Sequence, residues 1–441
     1  MKRLSSHVLR ILLFVAVATS VILSWLIWTN NAKYQPDTQF SSVQSVSHHP
    51  QSLSKNTNMN EVFAPTKLIV TQNNQSQLIY NYKYSTVDEI FQVLQHTRLF
   101  GLRQIVQKDE HQYQKFLDYN DSLQMIYPTT VSCNVFAKAV HQPALHRARD
   151  FNLRRVMLVM DWKTQQARLY LLNDPNYTIY QVQVRHLNAQ RLKKLLQAQN
   201  FVVNVNQALF NKKIQLFYTQ PVRLKVISYL MTLQDDNSYI SNLLGTKQVS
   251  DITSHTSGNQ VIYRNGNRLL RVDHNTGLVS YTNYAKMKVP PTTSATFVKA
   301  YQNLVETGNS LTGLHLYRYL PRSRQVIFRN FAEGFPIFHS GNTGATDITF
   351  TKNGTTMNFS KKILQVPVPT SQKEIQLPTT AEVLTSLKKF GYNIHNIQDL
   401  SVGYTWTQDS QNKSIIDLVP RYYIRMNDQW KSLDEWLNPE R

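Results

Sequence analysis

The chain has 441 residues, 41% hydrophobic and 11% aromatic, and a formal net charge of +21. That length holds two or three ordinary domains, and that composition excludes a chain disordered throughout. A single cysteine, Cys133, excludes an intramolecular disulfide, and its apolar setting reads as a buried, inert thiol.

The first element is the apolar run Ile11–Trp28, and the stretch without charge continues to Ala32, 22 residues in all. A helix rising about 1.5 Å per residue over that length covers about 30 Å, the thickness of a bilayer's hydrocarbon core. Lys2, Arg3 and Arg10 precede it and only Lys33 follows closely, which predicts a cytoplasmic tail over 1–10 and an exported remainder. A cleaved signal peptide would have a shorter apolar core and small residues at its exit. Trp25, Trp28, Asn30 and Asn31 stand there instead, so 11–32 reads as an uncleaved single span. Arg10, Trp25 and Trp28 are its expected anchors at the membrane interfaces. Ala16, Ser20 and Ser24 recur every four residues and share one helix face, where small side chains let a second membrane helix approach closely.

The three N-terminal cations removed, +18 remains on the exported part. Export excludes nucleic acid as its partner. The basic residues are scattered, and the expected counterparts are anionic lipid headgroups or acidic envelope polymers.

Residues 33–60, rich in Ser, Gln, Asn and His, read as a linker. Lys67–Gln72 is a short strand. Ser85–Leu99 reads as a helix capped by Ser85, with Asp88 and Glu89 in its first turn and Val87, Ile90, Phe91 and Leu94 on one face, closed by Gly101. Arg155–Asp161, Ala167–Leu172 and Tyr177–Val184 read as strands, the last two separated by the turn Asn173–Asn176, and Asn188–Gln199 as a helix. The polar residues interrupting the strand-like stretch Ile214–Leu233 exclude a second span.

Further on, one pattern occurs twice. The first copy has strands Arg268–Val272 and Leu278–Tyr281 about a turn at Gly277, a helix Ser294–Thr307 stopped by Gly308, then strands Leu314–Leu320 and Gln325–Phe331. The second has Asp347–Phe350 and Thr355–Phe359 about Gly354, a helix Thr379–Phe390 stopped by Gly391, then Leu400–Trp406 and Ile415–Val419, with Tyr422–Met426 beyond. Glycine suits both the hairpin turns and the left-handed helix caps. The predicted fold is α+β: a transmembrane helix, a mixed α/β domain over 61–205, and two similar antiparallel sheet-plus-helix domains over 206–333 and 334–441.

No chemistry converges in the sequence. The thirteen His residues are spread out, and no His, Cys or carboxylate cluster has metal-site spacing. Gly308–Gly313 has its second glycine one residue too late for a nucleophile elbow. Asp235-Asp236 and Asp434-Glu435 are adjacent pairs, not an acid/base couple across a cleft. The expectation is no enzyme, no cofactor and no metal. Tyr404, Trp406, Tyr422, Tyr423, Trp430 and Trp436 crowd the C-terminus and are expected to be mainly core.

The span running into Ser24-Trp25-Leu26-Ile27-Trp28, then Tyr34-Gln35-Pro36-Asp37, resembles the start of the YycH (WalH) family. Gly334-Phe335-Pro336-Ile337-Phe338, Leu418-Val419-Pro420-Arg421-Tyr422-Tyr423-Ile424 and Trp430-Lys431-Ser432-Leu433-Asp434-Glu435 are similar to that family as well. The resemblance implies a single-pass accessory protein of Gram-positive bacteria with its C-terminal domains outside the cell. It implies control of the WalK sensor histidine kinase of the cell-wall two-component system, alongside a YycI-like membrane protein, with the transmembrane helix in contact with the kinase. It carries over no catalytic residues. The alternative is an extracellular binding module for anionic envelope polymer or lipid.

Overall fold

The structure, a computed structural model, describes residues 17–21 and 57–438, without 83–84, 148, 199, 246–251, 339–344, 369–372 and 410–411. Two compact units divide the chain, Met1–Leu53 and Ser54–Arg441. In the first, the described residues 17–21 are helical, with Val17 and Val21 exposed. Among the described residues no helix is long and apolar enough to cross a membrane. Most of the stretch expected to do so lies outside them.

The second unit begins with strands β1 (Lys67–Gln72), β2 (Gln75–Tyr80), β3 (Arg98–Val106), β4 (Ser122–Ser132), β5 (Asn152–Asp161), β6 (Gln166–Asn173), β7 (Thr178–Arg185), β8 (Phe201–Phe210) and β9 (Lys213–Tyr218). They form one sheet in the order β3-β7-β6-β5-β4-β1-β2-β8-β9. The short run Leu68-Ile69-Val70 shows why this sheet is central. Leu68 and Val70 join one hydrophobic core and Ile69 joins another, so the strand is covered on both faces and reads as continuously apolar.

The helix Thr86–Gln95 starts where Ser85 accepts from the Asp88 N–H, and it buries Val87, Ile90, Phe91 and Leu94. It ends at His96, however, and not at Gly101. Gly101 lies inside β3 with φ +64°, where the register against β7 shifts between Phe100 and Arg103. The left-handed residue there serves a strand irregularity and not a helix cap.

The remaining strands are β10 (Val222–Lys225), β11 (Ile227–Leu233), β12 (Thr253–Ser257), β13 (Gln260–Asn265), β14 (Arg268–Asp273), β15 (Leu278–Asn283), β16 (Leu314–Leu320), β17 (Gln325–Ala332), β18 (Phe335–Phe338), β19 (Ala345–Thr351), β20 (Gly354–Ser360), β21 (Lys362–Val368), β22 (Glu374–Leu377), β23 (Ile397–Gln408), β24 (Ile415–Met426) and β25 (Gln429–Ser432). All but β10 and β22, which pair with each other, belong to a second sheet. The hairpins of the two repeated patterns lie side by side in it: β20 pairs with β15, and β19 with β17. One buried rung crosses five strands through Leu270, Tyr281, Met357, Ile348 and Val326. The helix Thr293–Glu306 joins that core with Phe297, Ala300 and Leu304. The helix Thr380–Lys389 places Val383 and Leu387 in the other core, with Val402, Tyr404, Leu418 and Ile424.

The C-terminal strand differs from expectation. β24 runs unbroken through Pro420. Its flank opposite β23 pairs with β11 only up to Leu418 and with β25 only from Tyr423. Pro420 falls in that gap, where a residue without an N–H can be tolerated.

Candidate functional site

Between the first sheet and the C-terminal part of the second lies a cleft of about 350 Å³. Six cationic side chains line it: Lys67 on β1, Arg154 and Arg155 on β5, Lys213 on β9, Arg318 on β16 and Arg425 on β24. Asp399 is the one carboxylate among its lining residues.

Arg155 is only 3% exposed. It is held because Asp174, in the turn after β6, accepts from its Nε at 2.8 Å and its Nη2 at 3.0 Å, while Gln207 accepts from Nη1. Tyr113 donates to the same carboxylate. Burial pulls the Asp174 carboxyl upward, but Arg155, Arg154 and these donors outweigh it and hold it below the usual range. Arg154 Nε stands 3.8 Å from the already engaged Asp174 and makes no hydrogen bond among the described residues.

Opposite, Arg425 is 6% exposed and uses Nη2 on Asp428, while its buried Nε makes no hydrogen bond among the described residues. Arg318 approaches the same Asp428 at 3.8 Å. Burial and Arg425 together hold the Arg318 guanidinium below its ordinary value. Lys213 reaches the Gln398 carbonyl at 3.1 Å and Asp399 at 3.6 Å.

The Lys67 ammonium makes no hydrogen bond or ion pair among the described residues, although its backbone pairs with Ile126 of β4. Loss of water pushes its ammonium down to about 8; Asp399 pulls it up, and Arg154 and Arg155 push it down again. Asp174, Asp399 and Asp428 against six cations leave three positive charges uncompensated. Behind the Tyr317 wall is a seventh, Arg329, 9% exposed, with its guanidinium carbon 4.7 Å from the ring centres of both Tyr317 and Phe338. Its Nη1 donates to the Ile337 carbonyl at 2.8 Å.

The sequence did not point here, because these residues are spread from 67 to 425 and only topology gathers them. One local signal was present: Arg154-Arg155 interrupts the run 153–160 of β5, which is otherwise apolar. Of the predicted membrane residues, Ser20 lies on the exposed helical stretch 17–21. Ala16, Ser24, Arg10, Trp25 and Trp28 lie outside the described residues. Tyr404, Trp406, Tyr422, Tyr423 and Trp436 are buried, while Trp430 is half-buried and lines the cleft. Cys133 is fully buried, and burial pushes its thiol up to about 12.

The model of the N-terminal domain of the YycH protein matches residues 6–201, and that of its C-terminal domain matches 212–441. Among solved structures, the crystal structure of YycH from Bacillus subtilis is similar, with a TM-score of 0.67 at 15% identity over 85% of this chain and 96% of that one. At that identity the likeness carries the fold alone. No curated protein matches the chain. Because the two domain models between them take in almost its whole length, the chain belongs to the YycH family.

Proposed function

We propose that this protein is a membrane-anchored accessory regulator of a WalK-type sensor histidine kinase, acting by contact and not by catalysis. The observation that carries the reading is the match of both YycH domain models to one chain whose uncharged stretch 11–32 is long enough to span a bilayer. In this reading the N-terminus is cytoplasmic and the body from 61 onward is extracellular. Ala16, Ser20 and Ser24 face a kinase helix, Arg10, Trp25 and Trp28 set the depth of the span, and a YycI-like protein completes the assembly. Such binding shifts signalling only by favouring one conformation of the kinase.

Single cysteines introduced along 11–28 in a Cys133→Ala background test this in cells. Crosslinks to the kinase are expected to recur with helical spacing and to be strongest at 16, 20 and 24. Uniform absence of crosslinks along the stretch would count against the reading. The cationic cleft favours a second role, the binding of anionic envelope polymer or lipid. Leu at 16, 20 and 24 would weaken kinase association and leave that binding intact.

A further inference from the structure

We propose that the cleft is a receptor site for a small phosphate-bearing ligand, gripped by Lys67, Arg154 and Arg425 with Lys213 and Arg318 at its more exposed side. The inference stands apart from the kinase reading, since it concerns only what the cleft can hold.

Three observations converge. The first is charge. Six cations from five different strands line one cavity, and the three carboxylates in reach are spoken for: Asp174 by Arg155, Asp428 by Arg425, Asp399 by Lys213. The second is idle donors. The Lys67 ammonium, part-exposed, forms no hydrogen bond or ion pair among the described residues, and the Nε atoms of Arg154 and Arg425 are buried with no hydrogen bond among those residues. A purely structural cluster would use such groups, because a buried unmade donor is costly. The third is repulsion. Arg154 and Arg155 act against Lys67, and Arg425 acts against Arg318, so like charges face one another. An anion between them turns each of these repulsions into a shared attraction.

The chemistry selects phosphate over carboxylate. A phosphomonoester carries close to two negative charges at neutral pH and three acceptor oxygens. Those oxygens point in several directions and match donors that arrive from separate strands, whereas one carboxylate is planar and answers one fork. A volume of about 350 Å³ is at the small end of ligand sites and leaves room for a compact body beside the phosphate. Tyr127, Tyr319 and Trp430 line the cavity and would cover that body.

The test uses the full-length chain in nanodiscs of phosphatidylcholine, titrated calorimetrically with glycerol 3-phosphate, with succinate as the dicarboxylate control. Saturable binding of glycerol 3-phosphate, at least tenfold tighter than succinate, is expected. It should weaken at least tenfold in Lys67→Met and in Arg154→Gln. The unliganded Lys67→Met protein should unfold at a temperature no lower than the parent, which separates lost binding from lost folding. Repeating the titration in nanodiscs that contain phosphatidic acid, a lipid whose headgroup is a phosphomonoester, identifies the source. Unchanged affinity there means a soluble phosphate compound, and apparent affinity for glycerol 3-phosphate lowered at least tenfold by the lipid in the parent protein means a lipid headgroup. No saturable binding, equal affinity for succinate, or unchanged affinity in a correctly folded Lys67→Met would each overturn the proposal.

Discussion

Asp174 has more partners than any other carboxylate around the cleft. It is 7% exposed and receives Arg155 through two guanidinium nitrogens, with Tyr113 and Arg154 beside it. Asp174→Ala strands the buried Arg155 and is expected to cost about 3–5 kcal/mol, read as a lower urea midpoint. Because the folded carboxyl sits below its ordinary value of 3.8, its stabilisation is complete above that pH and fades as pH falls through the lower folded value. Lys67 has the opposite sign. Its folded value of about 8 lies below the ordinary 10.5, so its charge opposes folding in full below pH 8, and that opposition is relieved as pH rises toward 10.5. Lys67→Met is therefore expected to raise the melting temperature at pH 7 and to do so less at pH 10. Loss of water sets this behaviour first; Asp399 on β23 opposes it, and Arg154 and Arg155 on β5 add to it. Single residues were unevenly legible in sequence. Cys133 in its apolar run and the Ser85 cap could be read directly, because their surroundings are local. Arg155 and Lys67 could not, because what decides their state is a carboxylate 19 residues away or a set of strands far along the chain.

Elements obey rules short enough to be written in adjacent residues. Thr379 accepts from the Glu382 N–H, and the Glu382 carboxylate accepts from the Thr379 N–H at 2.7 Å, a reciprocal cap on the helix Thr380–Lys389. Thr379→Ala is expected to cost about 1 kcal/mol in urea unfolding. Two glycines of the repeated pattern should respond differently. A Cβ on Gly391 meets nothing within 4 Å, so Gly391→Ala is penalised only for its φ of +86°, by about 1–2 kcal/mol. A Cβ on Gly354 falls 1.9 Å from the Asn283 carbonyl oxygen, so Gly354→Ala forces β20 away from β15 and should lose clearly more. Hairpins and helices of both copies appeared in the sequence because alternation and turn chemistry are local. The end of the helix after Ser85 and the continuity of β24 through Pro420 were misread because each depends on a neighbouring strand: β7 against Gly101, and the gap between β11 and β25.

At the scale of the whole molecule, β1 and β2 are shared property: one face of each belongs to the core around Phe297 and Phe328, the other to the core around Tyr404 and Leu418. Composition showed that cores existed, but periodicity does not say which strand lies beside which. The side-by-side hairpins are the clearest instance, since nothing in the residues of 345–360 names β15 and β17 as their neighbours. A chain truncated after residue 333 is expected to aggregate when expressed, visible as loss from the soluble or detergent-extracted fraction, because β15 and β17 would each keep an unpaired edge. This order of assembly reaches beyond the finished molecule. A polypeptide delivered N-terminus first at roughly 5–20 residues per second passes through an interval of seconds in which β14, β15, β16 and β17 exist without the hairpin that joins them. During that interval the nascent protein carries two sticky borders with no occupant. Its yield should therefore respond to whatever holds unfinished chains apart at the site of synthesis.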